Sequence, residues 1–177
     1  MTNNLQPVVL AILIGLITYV FAQLMGMNMG LNEDKMKDKY AQVASQSISD
    51  PEEAKEAARE AWGETKRAHA HFAGLSAIAL VAAIIIGFTA VVGWAKTVVS
   101  TMISAGAFLY PFAIITGAQN IVKMGEEAGE KSVEPLVILG VGLLGAGMLI
   151  LIVYLIMLLI FRDVSKFPKI FDKFLVK

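Results

Sequence analysis

Between Arg67 and Lys123 the chain carries a single charge, Lys96, and between Glu134 and Arg162 it carries none. Uncharged apolar runs of about 20 residues are what a helix needs to cross a hydrocarbon core about 30 Å thick. No water satisfies backbone N–H and C=O groups there, so only self-bonded helices or closed barrels enter. Charged residues make up only 17% of the chain, against about 25% in ordinary soluble domains. This distribution rules out a soluble globular enzyme. Fifteen Lys and Arg balance fifteen Asp and Glu, so no basic face is available for phosphates and the reading is no nucleic acid. With no cysteine, there are no disulfides, thiolate chemistry, iron–sulfur clusters or covalent c-type haem.

Four apolar runs, 7–25, 72–95, 97–122 and 135–161, predict an all-α integral membrane protein built as one four-transmembrane-helix bundle. The residues before the first run hold no Lys or Arg, and no small-x-small site closes it, so it reads as a retained anchor rather than a secretory signal. Gly93-Trp94-Ala95-Lys96 is expected to turn a tight hairpin between the second and third runs. Residues 30–70 are expected to form a polar loop followed by an amphipathic stalk helix, an extramembrane extension of the second span. Asp50-Pro51-Glu52-Glu53 supplies its start: an Asp cap, Pro in the first turn, and Glu three residues after the cap. Ala54, Ala57, Ala58, Ala61 and Trp62 keep one apolar face of the stalk. That face cannot bury much against short loops, so it is expected to meet a partner or a second copy. Residues 163–177 are a basic tail with Phe167, Ile170, Phe171 and Phe174, a composition suited to an interfacial helix interrupted by Pro168.

Four spans place both termini and Lys96 on one side, with a net charge of +4, and the polar residues on the other, with −4. The basic residues near membrane ends favour a plasma or inner membrane protein with cytoplasmic termini and the acidic loop outside.

No Asp, Glu, Lys, Arg or His lies deep in a span, which argues against an ion-coupled transporter. Ser100, Thr101, Ser104, Thr116 and Gln119 are expected to hydrogen-bond between helices, and Gly140, Gly142, Gly145, Ala146 and Gly147 to let the fourth span pack closely, with Gly142–Ala146 as a small-x-x-x-small pair. The two histidines, His69 and His71, stand at the outer end of the second span. At i,i+2 they point about 200° apart and cannot chelate one metal from a regular helix. His69 shares its face with Ala73, Ser76, Ala83 and Gly87, a side suited to helix packing; His71 shares its face with Leu75, Ile78 and Ile85, a side suited to lipid or a partner subunit. The first span ends on the same level in Met25-Gly26-Met27-Asn28-Met29. Thioethers beside imidazoles suit Cu(I), and a His/Met pair also serves as axial ligation for haem iron. Tyr110-Pro111 is expected to kink the third span, and Gln119 ends on the same side.

The stretch from Arg67 to Leu75, followed by Phe108-Leu109-Tyr110-Pro111, resembles small four-helix membrane proteins of redox systems, b-type cytochromes among them, in which a His-x-His opens a helix. The resemblance implies a membrane electron-transfer subunit holding haem b. His69 or His71 would be an axial ligand and Met25, Met27 or Met29 the second. Tyr110 and Gln119 complete the candidate cofactor-binding set. The sequence departs from that pattern in placing both histidines on one helix. Two other readings stand beside it: copper binding through the same Met and His side chains, and a non-catalytic accessory or assembly subunit. Partners beyond the lipid bilayer are other subunits of a membrane complex or a homo-oligomer. No nucleophile–base pair or phosphate-cradling loop can be assembled, so hydrolases and phosphotransferases are not expected.

Overall fold

The computed structural model describes residues 5–175, and its helices are α1 (Val9–Ser47), α2 (Pro51–Gly87), α3 (Gly93–Met124), α4 (Glu126–Lys131) and α5 (Glu134–Phe161). Four of them, α1, α2, α3 and α5, are long and apolar enough to cross a membrane. Helix α3 is the hub: it packs against α1, α2 and α5, while α5 leans on α3 and barely touches α2.

The polar residues after the first apolar run form no loop. α1 continues through them for 39 residues in all, about 58 Å. The backbone leaves helical geometry only at Asn32 (φ −130°, ψ 26°), where the apolar half gives way to the polar half. Beyond that bend, Glu33 and Lys37 pair at 2.6 Å across one turn, and Tyr40, Val43 and Ala44 provide an apolar face.

α2 starts as expected. The Asp50 carboxylate accepts from the backbone N–H groups of Glu52 (2.8 Å) and Glu53 (3.3 Å), with Pro51 in the first turn. It ends at Gly87, well before Ala95, because the Lys96 ammonium donates to the Gly87 carbonyl at 2.7 Å and Thr89 Oγ1 donates to Ile86 O at 2.7 Å. Gly93-Trp94-Ala95-Lys96 is therefore the first turn of α3, and the hairpin turn lies in residues 88–92. α3 continues through Pro111 as one helix.

The stalk's alanine face is internal on one side and opens onto a groove at Ala58 and Trp62 on the other. Ala54, Ala57 and Ala61 pack with Ala44 of α1 and with Ala118, Ile121 and Val122 at the end of α3. Tyr40 and Thr65 join the two polar halves through their hydroxyls at 2.7 Å. The short α4 lies close on α3: a Cβ at Gly129 would meet Ile121 N at 2.5 Å. The polar halves of α1 and α2 thus form a closed helical headpiece standing on the bundle.

The α3–α5 seam is made by backbone contact. A Cβ on Gly106 would lie 2.4 Å from Leu144 N, and one on Gly140 would lie 2.6 Å from Tyr110 N. Gly142 and Gly145 face open space, so the Gly142–Ala146 pair does not form this seam. Of the hydroxyls expected to bridge helices, two turn back on their own helix, Ser100 donating to Lys96 O at 2.7 Å and Thr116 to Phe112 O at 2.8 Å, and those of Thr101 and Ser104 are buried without a hydrogen-bond partner. The tail is not an amphipathic helix. It folds as two 3-10 turns, Val164–Lys166 and Lys169–Phe174, and returns to the α2–α3 turn, where Val92 N donates to Phe174 O at 2.9 Å.

Candidate functional site at the base of the headpiece

His69 and His71 lie where the apolar half of α2 meets its polar half, and each turns to a different neighbour. The His69 imidazole rests on α1 at Gly26, where a Cβ would fall 2.6 Å from Cε1. Its Nδ1 is buried and has no hydrogen-bond partner. His71 turns the other way, its ring centroid 5.0 Å from that of Tyr110 on α3. The i,i+2 spacing thus separates the two rings as geometry requires, but His71 faces a helix, not lipid. The next residue, Phe72, is fully buried, edge-on to Phe21 of α1 (4.9 Å) and tilted against Phe108 of α3 (6.1 Å).

The remaining residues of the sequence-derived set divide. Met25 packs with Ala22, Ala68 and Phe72, and Tyr110 lines the same cluster from α3. Met29, one turn beyond Met25, is half-buried. Met27 is 59% exposed and Gln119 is exposed, so neither joins the histidines.

Sequence reasoning missed Glu64. It is buried, with Arg67 Nη1 2.7 Å from its Oε1 but not aligned as a hydrogen bond, so their attraction is Coulombic. With Arg67, Tyr110, Gly117, Glu130 and Val133 it lines a cleft of about 180 Å³ between α2, α3 and the start of α5. Burial pushes the Glu64 carboxyl above the ordinary carboxylate range; Arg67 opposes this, while Glu60 and Glu130 add to it. One signal was in the sequence: Glu64, Arg67 and His71 recur at i, i+3 and i+7, one face of a helix.

On the outer side of the headpiece, α1 and α2 wall a groove of about 540 Å³. Ile48, Ala54, Ala58 and Trp62 give it an apolar floor, and Lys37, Lys55 and Arg59 stand at its rim. The Lys37 ammonium lies 5.6 Å from the Trp62 ring centroid. The other side of α2 is acidic, with Glu53, Glu56, Glu126, Glu127 and Glu130 around a second depression.

Among the described residues no three His, Asp or Glu side chains converge as metal ligands. A haem shared by both imidazoles does not fit, since the rings contact different helices. A haem on His69 alone would have to part α1 from α2 at Gly26. No protein-family profile, curated protein or solved structure matches the chain.

Proposed function

We propose that the chain is a multi-pass integral membrane protein acting as a non-catalytic accessory or assembly subunit, holding a rigid helical headpiece outside the bilayer for a larger partner. The basic residues around Lys96 and the tail favour cytoplasmic termini. The observation that carries the reading is the headpiece itself. Two helices continue out of their apolar halves, build a core with the end of α3 and leave an apolar groove rimmed by Lys55, by Lys37 paired with Glu33 and by Arg59 paired with Glu56. That combination suits an amphipathic segment with acidic side chains. Extraction in mild detergent and native mass measurement test it. A discrete complex heavier than the 19.1 kDa chain is expected. A lone monomer, under conditions that keep other membrane complexes whole, contradicts it.

A second reading is favoured by the orphaned Nδ1 of His69. Met25 and Met29 flank Gly26 on the side of α1 where that imidazole sits, by helical spacing. Two thioethers and an imidazole are a soft ligand set that selects Cu(I). This reading predicts copper in the purified protein and its loss in a Met25→Leu/Met29→Leu variant. Copper content unchanged by that variant contradicts it.

A further inference from the structure

Two unlike faces of the headpiece stand at one height. The groove takes Pro51, Ala54, Lys55, Ala58, Arg59 and Trp62 from α2, and the acidic depression takes Glu53, Glu56 and Ala57. These are the same turns of α2, on opposite sides at 100° per residue. α4 completes the acidic side with Glu126, Glu127 and Glu130, all exposed. Among the described residues the ion pairs are Glu33–Lys37, Glu56–Arg59 and Glu64–Arg67. Glu53 and the three glutamates of α4 therefore crowd together outside any ion pair, and Lys55 stands on the groove outside any as well. Met124, which ends α3 just before α4, is 49% exposed. Its neighbours Ile121 and Val122 belong to the headpiece core, so Met124 stands beyond the bilayer, where lipid does not cover it.

An apolar side chain beside unpaired carboxylates is the complement of an apolar floor beside an unpaired ammonium. Copies inserted in one membrane share its plane and differ by rotation about its normal. Two unlike faces can then meet only at equal height, and each contact leaves one groove and one α4 free for further copies. The groove and α4 meet that condition. We propose that the groove receives α4 of a second copy of this chain, with Met124 toward the apolar floor and Glu126 and Glu127 toward Lys55 and its neighbouring cations. This rests on the docking role proposed above and names its partner.

The chain has no cysteine of its own, so engineered thiols report without background. Full-length chains carrying Lys55→Cys and others carrying Glu127→Cys are co-expressed and oxidised in native membranes. A disulfide-linked pair is expected from the mixture and none from either variant alone, because unlike faces meet. Gln42→Cys, exposed and outside the groove, replaces Lys55→Cys as the control for chance collision. Native mass measurement of the purified protein should give multiples of the 19.1 kDa chain. Lys55→Glu, and separately Glu126→Lys/Glu127→Lys, should weaken self-association by about fivefold, the upper range for an exposed ion pair. All three substitutions in one chain should restore it. Every one of these positions is exposed, so the core is untouched. Equal disulfide yield from the mixture and the Gln42→Cys control, or linkage within a single variant, overturns the proposal. Charge reversals that leave association unchanged, or that are not rescued in combination, overturn it too. A complex holding the chain once beside a different protein overturns it while leaving the docking role standing, and a lone monomer overturns both.

Discussion

The imidazole of His69 sits so close to Gly26 that a methyl group there would lie 2.6 Å from its Cε1. This contact fixes the register of α1 against α2 at the base of the headpiece. Gly26→Ala is expected to destabilise the protein by about 1–3 kcal/mol, the usual range for overpacking. In a His69→Ala background the same change should cost far less, because the clashing ring is gone. Thermal unfolding of the four proteins in detergent completes the cycle. An equal cost in both backgrounds would mean that the contact does not set the helix spacing.

The α3–α5 seam gives a sharper contrast among glycines. At Gly106 and Gly140 the obstructing atoms are backbone, which cannot swing aside. Alanine at either position should loosen α5 by more than about 2 kcal/mol. Gly142→Ala and Gly145→Ala meet open space and should raise stability by about 0.5–1 kcal/mol through helix propensity alone. Melting temperatures that fall equally for all four would contradict this assignment of the seam.

Glu64 makes stability depend on pH. Its carboxyl ionises at a higher pH in the folded chain than the ordinary 4.5, because burial disfavours the charge. The folded state therefore binds that proton more tightly. The stability it contributes is complete below the unfolded value and is lost as pH rises through the folded one. Glu64→Gln should flatten this fall in unfolding measurements between about pH 4 and pH 8. Stability that instead rises with pH through the acid range, with Glu64→Gln removing that rise, would show the Arg67 attraction outweighing burial.

Within the headpiece, Tyr40→Phe removes the hydroxyl contact to Thr65. Thr65 keeps its own bond to Ala61 O at 2.8 Å, so the cost should be about 1 kcal/mol and local. Hydrogen exchange should quicken in residues 33–47 and 51–67 while the apolar halves stay protected.

The division into four apolar helices was legible because charge is excluded from them, and the start of α2 because Asp50-Pro51 leaves little alternative. The length of α1 was not. Its apolar pattern stops near Met29, and residues 33–47 read as a loop until α2 is present to cover Tyr40, Val43 and Ala44. For the same reason Ala57 and Ala61 of α2 resembled part of a docking surface, when α1 and α3 cover them, whereas Ala58 and Trp62 of the same stripe line the open groove. His69 was correctly placed on the packing side. His71 was not, since Ile78 and Ile85 on its face are exposed while Tyr110 approaches only near the top of α3. Burial of Glu64 is tertiary as well: it depends on how α3 and the chain around Glu130 and Val133 close over α2. No local pattern announces that.

The most direct test of the docking role is photocrosslinking from the headpiece in native membranes. A photoreactive residue at Ala41 or Lys55, both on the groove, is expected to give one discrete crosslinked species of higher mass. The same residue at Gln42 or Glu52, exposed positions outside the groove lining, should give none. Crosslinking that is absent at all four positions, or indifferent to position, would contradict a headpiece built to receive a partner.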